Sequence, residues 1–264
     1  TINKANPTIV FSDITKNFGD VDFELIASSN SPGVFSFTVS DTSIATVSSS
    51  TITIIGSGST IVTLNQVEVN NYNAGVATMT LTVNKGNISI TFDDLTKTYG
   101  DPNFEFSASS PSTGAMTFTI SNTSIASMVN LTTANILSVG ASTVEVQQAA
   151  DNNYNSSTAT MTLTIIKGNP TIVFNDLLKN IKDPNFDFVA FSNSTGTFSY
   201  VISDTSIANN IGSEVTILAL GATLVTSLQA ADSNYNSGSA TMTLQILTDP
   251  VINLNDITKI YGDP

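Results

Sequence analysis

The chain has 264 residues, a formal net charge of −13, no Cys, no His and no Trp, and its eight basic residues are all Lys. Without thiol or imidazole groups it lacks a thiolate nucleophile, an imidazole base and ligands for zinc or copper, so only oxygen ligands for hard cations remain. The acidity and the absence of Arg argue against binding to phosphate or nucleic acid.

Short runs of alternating apolar and polar residues predict about seven β-strands in each unit of the chain, and no segment has a helical period. In the first unit these strands are expected near residues 8–16, 22–28, 34–39, 44–48, 51–55, 59–68 and 76–83. Seven short strands in about 80 residues are typical of an immunoglobulin-like β-sandwich. Its core must consist of Phe, Ile, Val, Leu and Met side chains, because the Cys-Trp-Cys pattern of antibody domains is absent.

Three motifs recur along the chain at a nearly constant interval, which indicates a repeat array. A Ser-Asp/Asn-Thr-Ser-Ile-Ala motif places its Ile at positions 81 and 82 residues apart, at Ile44, Ile125 and Ile207. An Asn-Tyr-Asn triplet, followed each time by Ala-Thr-Met-Thr-Leu, is centred on Tyr72, Tyr154 and Tyr235. A third motif, Phe-Ser-Asp-Ile-Thr-Lys in its first copy, opens each unit at residues 11–16, 92–97, 174–179 and 254–259.

The sequence therefore predicts tandem sandwich repeats arranged end to end: residues 1–85, 86–167 and 168–248, with the first strand of a fourth repeat at 249–264. Joins of about four residues leave neighbouring repeats little freedom to swing. Three sandwiches in line would form a rod about 110 to 120 Å long. Because a lone opening strand cannot bury its apolar face, we expect the array to continue beyond the chain, together with its targeting signals.

Three segments carry a resemblance to a known family: Thr-Lys-Thr-Tyr-Gly-Asp-Pro at 96–102, Ser-Asn-Thr-Ser-Ile-Ala at 121–126, and Asn-Tyr-Asn with Ala-Thr-Met-Thr-Leu-Thr at 153–164. They resemble the bacterial immunoglobulin-like repeats called MBG domains, and the resemblance covers every unit. Such repeats are similar to those of giant Bacteroidota surface adhesins, including flavobacterial gliding-motility adhesins exported by type IX secretion. The resemblance implies an extracellular filament on a bacterial cell surface.

Two units depart from the family pattern. The third unit has Ile181 and Lys182 where the second and fourth have Tyr-Gly, and the first unit has Val21 in place of Pro. A Lys at the Gly position suggests that this turn does not strictly need a positive φ.

Oxygen-bearing side chains two residues apart invite a Ca²⁺ interpretation at the end of each opening motif. The competing interpretation is an Asx-type turn, which the Asp-Pro steps at 101–102 and 183–184 favour. A second acidic set, Asp151 and Asp232, precedes the Tyr of the last loop, but the first unit has Val69 there. Because one unit would lack this ligand, we predict no metal-binding residues. The paired positions are Asp20 with Asp22, Asp101 with Asn103, and Asp183 with Asn185.

Three other patterns have a functional and a structural interpretation. The loop tyrosines could stack on sugars, or they could cover the core with the hydroxyl bonded to backbone. The alternating Thr78, Thr80 and Thr82 are similar to an ice-binding ladder, although outward Thr is ordinary in strands. The recurring Lys could cross-link to Asn in an isopeptide bond, or it could be a solvated charge on an edge strand. Its copies are Lys16, Lys97, Lys179 and Lys259.

These patterns predict a structural spacer and not an enzyme, with no catalytic, cofactor-binding or metal-binding residues. The acidic pair Asp93 and Asp94 has no partner across a cleft, as glycoside hydrolysis would require. The expected partners are neighbouring repeats of the same chain, and surface glycans or solid surfaces reached through other regions. Nucleic-acid binding and membrane insertion are not expected, because no apolar run approaches the roughly 18 residues of a membrane span. The alternative is a glycan-binding module that uses the loop tyrosines.

Overall fold

The computed structural model describes residues 2–248 and Tyr261, and every regular element in this part of the chain is a β-strand. The backbone packs as two compact units. One comprises the chain up to Leu95 with Asn103–Asn135 and Ser142–Leu163, and the other comprises Thr96–Pro102, Ile136–Ala141 and the chain from Thr164. The described residues include no helix long and apolar enough to cross a bilayer. The predicted opening strand at 249–264 lies outside the described residues.

The first repeat contains short strands near its start and long strands near its end. In chain order they are β1 (Ile9–Val10), β2 (Ile14–Asn17), β3 (Phe23–Glu24), β4 (Ser28–Ser29), β5 (Phe35–Val39), β6 (Ala45–Ser48), β7 (Thr51–Ile54), β8 (Gly58–Gln66) and β9 (Gly75–Asn84).

These strands form the two layers of a sandwich. A four-stranded sheet has the order β2-β9-β8-β5, a three-stranded sheet has the order β3-β7-β6, and β1 pairs with β4. The pair β2 and β9 is parallel, with Ile14 opposite Leu81, whereas the other pairs are antiparallel. With β3 and β4 as one interrupted strand, this is the immunoglobulin arrangement of two sheets. The predicted all-β, immunoglobulin-like fold is confirmed.

The second and third repeats present the same succession of strands. The second repeat contains β10 (Leu95–Thr98), β11 (Phe104–Glu105), β12 (Met116–Ile120), β13 (Ala126–Met128), β14 (Thr133–Ile136), β15 (Gly140–Gln148) and β16 (Ser157–Ile166). The third contains β17 (Ile172–Val173), β18 (Leu177–Asn180), β19 (Phe186–Asp187), β20 (Phe191–Ser192), β21 (Phe198–Ile202), β22 (Ala208–Ile211), β23 (Glu214–Ile217), β24 (Gly221–Gln229) and β25 (Gly238–Leu247).

Sheet order in the third repeat matches that in the first. Its four-stranded sheet runs β18-β25-β24-β21, its three-stranded sheet runs β19-β23-β22, and β17 pairs with β20. In the second repeat β12 pairs antiparallel with β15 and β11 with β14, while a single bridge between Thr91 and Ser109 stands where the other repeats have a two-stranded pair.

The prediction of one continuous opening strand was wrong, because the strand divides and its halves join different sheets. The physical reason is an Asp at the crossing point. In the first repeat the Asp13 carboxylate accepts the Thr80 backbone N–H at 2.7 Å, in the place of a ladder carbonyl. Asp94 and Asp176 do the same for Thr162 and Thr243 at 2.6 Å. The predicted strand at 22–28 is likewise divided, into β3 and β4.

Core side chains come from both sheets and follow the predicted alternation. In the last strand of the first repeat, Met79, Leu81 and Val83 are at most 2% exposed, as predicted. They pack with side chains of the facing sheet, including Ala45 and Ile52. The third repeat has an equivalent core of Phe174, Phe188, Ile202, Ala208, Val215, Val225, Met242, Leu244 and Ile246.

Candidate functional site: the junctions between repeats

The first junction is built around Gly86, where three backbone segments meet. Its N–H donates to the Asn153 carbonyl and its carbonyl accepts the Asn155 N–H, both at 2.9 Å, which forms a parallel bridge around Tyr154. On its other side, a Cβ at this position would lie 2.4 Å from the Phe18 carbonyl oxygen. Such a close approach requires Gly, so the join is a fixed contact between repeats instead of a free tether.

An aromatic pair closes the same junction. The Phe18 ring, from the turn after β2, meets the half-buried Tyr154 ring edge to face, with centroids 5.1 Å apart and an interplanar angle of 86°. This is a favoured geometry for two aromatic rings. The Phe18 N–H donates at 2.8 Å to the carbonyl of Asn84, the last residue of β9, which holds the turn against the end of its own repeat.

A side-chain bond fastens a second turn of the first repeat. The Oδ1 atom of Asn153 accepts the backbone N–H of Ser57 at 2.9 Å, and the Ser57 hydroxyl donates to the carbonyl of Asn152. Ser57 lies between β7 and β8, far along the chain from Phe18. The Asn-Tyr-Asn loop therefore contacts two separate turns of the preceding repeat, which restrains rotation as well as bending.

The second junction repeats this construction with different side chains. Gly168 donates to Asn234 at 3.0 Å and accepts from Asn236 at 2.8 Å, and a Cβ on it would lie 2.3 Å from the Tyr99 carbonyl oxygen. The rings of Tyr99 and Tyr235 meet edge to face at 5.2 Å and 88°. The sequence period thus reproduces one junction geometry twice.

The side-chain bond also recurs, although its donor residue differs. The Val139 backbone N–H donates at 3.0 Å to Oδ1 of Asn234, as Ser57 does to Asn153. Because the donor is a backbone group, the position tolerates either side chain. The first Asn of the triplet is therefore the specific element of this contact.

Among known proteins, this chain is similar to solved structures alone. No protein-family model and no curated protein matches it. Among solved structures it is similar to Drosophila N-cadherin EC1-4, with 11% identity, 94% of this chain and 76% of that chain covered, and a TM-score of 0.32. Three titin immunoglobulin domains give 11% identity, coverages of 92% and 99%, and a TM-score of 0.32. The S-layer protein rSbsC gives 14%, coverages of 94% and 41%, and 0.32. The fold assignment therefore rests on the strand order of the chain itself.

The structure places the tyrosines at the repeat ends, and the structural interpretation needs one correction. Tyr154 and Tyr235 pack on a ring of the preceding repeat, and the Tyr235 hydroxyl accepts from the Asn193 side chain at 3.1 Å, not from backbone. Tyr72 makes the same bridge to its own repeat's leading segment, through Ala5.

The acidic pairs after the first strand form turns. The Asp20 carboxylate accepts the Asn17 N–H at 2.9 Å while its own N–H donates to the Asn17 carbonyl at 3.0 Å. Its partner Asp22 instead accepts from the Thr53 hydroxyl. Asp101 and Asp183 make the same turns with Thr98 and Asn180. A turn is therefore confirmed, but it is not of the Asx type, because each carboxylate accepts from the residue three positions earlier and not from the one two positions later.

Metal dependence follows as a prediction. Within residues 2–248 no group of three acidic side chains is placed to hold an ion. We expect EDTA to leave the Tm unchanged in a calorimetric melt, since the Asp20-type carboxylates already accept backbone donors. A marked fall of the Tm in EDTA, or a particle lengthened by Ca²⁺ but not by Mg²⁺, would contradict this.

The turn at Gly19 and Gly100 uses a backbone conformation that Lys182 avoids. The two glycines have φ of 93° and 96°, whereas Lys182 is not at positive φ, although Asp183 still donates to Asn180 at 3.0 Å. The turn accommodates Lys182, as expected, because its backbone adopts a different geometry there and the Lys residue is not strained.

A substitution pair tests this difference. No heavy atom lies within 4 Å of a Cβ at Gly100, so Gly100→Lys should cost only the backbone strain, about 1 to 2 kcal/mol in urea unfolding. The reverse change, Lys182→Gly, introduces no backbone strain and should cost less, through added chain entropy and the lost side-chain interactions of Lys182. Equal effects of the two changes would contradict the assignment.

The recurring Lys rests on an aromatic ring. The Lys16 ammonium lies 4.8 Å from the centroid of Phe23, and Lys179 lies 4.6 Å from that of Phe186. The edge position is confirmed for β2 and β18, but these ammonium groups contact a ring and are not simply solvated. Lys259 lies outside the described residues. We expect the intact mass to equal the sequence mass; each isopeptide bond would lower it by one ammonia.

The loop next to each junction tyrosine is held by an Asp that the sequence did not mark as structural. The Asp151 Oδ1 accepts the N–H groups of Asn153 and Tyr154 at 2.8 and 2.7 Å, and its Oδ2 accepts the Thr113 N–H at 2.8 Å and the Ser112 hydroxyl at 2.9 Å. The Thr113 N–H above all holds the pKa of Asp151 well below its usual range. Asp232 has the same set of contacts in the third repeat.

A buried Gln holds the neighbouring loop before β12, to which the Asp151 carboxylate is bonded. Gln148, at the end of β15, is fully buried and donates to the carbonyls of Ser112 and Gly114 at 3.0 and 3.1 Å. Gln66 and Gln229 do the same in their repeats. The sequence could have revealed this Gln, because it is a polar residue at a position where the alternation of the strand places a core-facing side chain.

Proposed function

We propose that this chain is a spacer made of tandem repeats in a large secreted adhesin, where it holds a distal binding region away from the cell. The domain limits belong to the proposal: 1–85, 86–167, 168–248 and 249–264. So does the end-to-end rod. The observation that supports the spacer proposal is that the same junction geometry occurs at both joins, because a spacer transmits force and distance only if its joints are fixed.

The resemblance to MBG repeats extends the proposal to a bacterial cell surface, and to gliding adhesins exported by type IX secretion. The net charge of −13 supports this setting, since like charge keeps neighbouring filaments soluble and apart. The partners of such a spacer are the adjacent repeats of its own chain, and a role without catalysis agrees with a chain that has no Cys and no His.

Small-angle X-ray scattering on the chain tests the spacer. A rod of three sandwiches should give a maximum dimension of about 110 to 120 Å and a rod-like cross-section term. A compact, globular profile would refute the proposal. The glycan-binding alternative has less support, because Tyr154 and Tyr235 are engaged at junctions. Specific binding on a glycan array that Tyr72→Ala abolishes, without loss of folding, would favour it.

A further inference from the structure

The four-stranded sheet of the third repeat has an unusual outer face. Inward residues of β25 such as Leu244 are buried, and the outward residues of the same strands face solvent. Leu247 at the end of β25 is a large aliphatic that is 40% exposed, as is its counterpart Ile166 in the second repeat at 49%. Four other outward residues are large aliphatics with exposed fractions between 43% and 62%. They are Leu178 on β18, Val201 on β21, and Leu224 and Leu228 on β24. We call this surface the aliphatic face.

Strand register makes the face continuous. Leu224 lies opposite Thr243, Leu228 opposite Ser239, and Val201 opposite Thr226 on neighbouring strands. Large side chains thus alternate with the small ones of β25 and β24. Among the described residues of these four strands, the outward positions carry no charge: they are Leu178, Asn180, Ser199, Val201, Ala222, Leu224, Thr226, Leu228, Ser239, Thr241, Thr243, Gln245 and Leu247.

The other two repeats show that the fold does not require these aliphatics. At the four equivalent positions the second repeat has only polar residues, and the first has polar residues at three. The sets are Thr15, Thr38, Ile61 and Asn65 in the first repeat, and Thr96, Thr119, Thr143 and Gln147 in the second. At the position equivalent to Thr226, the second repeat has Glu145. Since the same fold is built without them, folding does not account for these aliphatics.

We propose that the aliphatic face is a self-association surface, on which the same face of a second copy of this chain packs about a twofold axis. Copies that carry a net charge of −13 repel each other, and an uncharged face lets them meet without burying carboxylates. A flat face on which Leu alternates with Thr and Ser is self-complementary, because a twofold axis sets the large side chains of one copy over the small ones of the other.

The size of the face predicts a weak dimer. The four strands have 4, 5, 9 and 10 residues, and at about 3.3 Å per residue and about 4.8 Å between strands they give roughly 400 to 500 Å² for each copy. A pair would bury about 1,000 Å² in total, at the low end for specific interfaces. We therefore expect a dissociation constant on the order of 100 μM, which several copies arrayed side by side would strengthen through avidity. This inference is independent of the spacer function.

Sedimentation equilibrium of the whole chain from about 1 μM to about 1 mM tests it. We expect a reversible dimer that strengthens with added NaCl, because salt screens the repulsion between acidic copies. Thr226→Glu should weaken the dimer at least about tenfold by placing a carboxylate at its centre. The fold accepts Glu there, as Glu145 shows. The matched control is Thr63→Glu, the same change on the first repeat, which should leave the dimer intact.

A second variant guards against an indirect effect. Leu178→Thr, Val201→Thr, Leu224→Thr and Leu228→Gln together install the residues of the second repeat, and the chain should become monomeric with unchanged circular dichroism. Its control, Val189→Ser with Phe191→Ser, removes exposed apolar side chains that are 59% and 67% accessible but off the face, and should still dimerise. A chain that stays monomeric at every concentration, or a dimer that survives Thr226→Glu or is lost equally in either control, overturns the proposal.

Discussion

Replacing Gly86 with Ala should release the first repeat from the second while both stay folded. The new methyl group would lie 2.4 Å from the Phe18 carbonyl oxygen, well inside the contact distance of a real Cβ, and the obstacle is backbone that has no room to yield. The ring pair of Phe18 with Tyr154 and the bond from the Ser57 N–H to the Asn153 side chain depend on this approach. Their loss should cost about 2 to 4 kcal/mol of junction free energy.

Distances between spin labels on the two repeats would measure this release. The parent chain should give a narrow distribution and Gly86→Ala a broad one, with new proteolytic cleavage in the join. Gly168→Ala should act in the same way on the second junction, where the nearest oxygen is 2.3 Å away. Gly212→Ala is the control, since Gly212 has a φ of 65° but open space around it, so it strains a hairpin and spares both junctions. An unchanged distribution in Gly86→Ala would show that the junction is not the restraint.

Most of the fold could be predicted from the sequence because its strands bury one face. The alternation in Phe-Ser-Phe-Thr-Val at Phe35–Val39 and in the Ala-Thr-Met-Thr-Leu segments gave strand, face and repeat together. The division of the opening strand was missed, since it depends on the Asp13 carboxylate replacing a ladder carbonyl, and Asp before a strand is also common in plain turns.

The junction was harder to predict, because its contacts join residues far apart in the chain. The Asn-Tyr-Asn triplet was recognised as a landmark, but its partners Phe18 and Ser57 lie in another repeat. The Lys-Gly-Asn segments at 85–87 and 167–169 recur, yet only the structure shows that their Gly touches a carbonyl of the preceding repeat. The period of a sequence shows which segments recur, but it does not show which residues of neighbouring repeats are in contact.

The loop that carries each junction tyrosine differs in the first repeat, and the difference involves two positions at once. Asp151 and Asp232 are replaced there by Val69, and Thr113 and Thr195, whose N–H groups donate to these carboxylates, are replaced by Pro32. Proline has no N–H to donate. The carboxylate and its main donor are therefore absent together. The Tyr72 N–H donates to the Val69 carbonyl, where Tyr154 and Tyr235 donate to a carboxylate.

Asp232→Val should consequently destabilise the third repeat, whereas the same residue is native at the equivalent place in the first. The change leaves the N–H groups of Thr195, Asn234 and Tyr235 without their acceptor, and we expect the Tm at pH 7 to fall by several degrees. Thr195→Pro alone should also destabilise. The double variant should lose less than the sum of the two, because proline removes one of the donors that the Val leaves unsatisfied.

Acid titration tests the hydrogen bonds of the Asp232 carboxylate in a second way. The Thr195 N–H above all lowers the pKa of Asp232 far below its usual range, so the folded carboxylate binds its proton less readily than the unfolded one. Its contribution to stability is complete above the unfolded pKa of about 3.9 and is lost as the pH falls toward the folded value. Thermal melts should therefore show the parent chain losing Tm steeply below about pH 4, and Asp232→Val losing less over the same interval. Parallel pH profiles for the two proteins, or additive effects of Asp232→Val and Thr195→Pro, would mean that the carboxylate does not hold the loop.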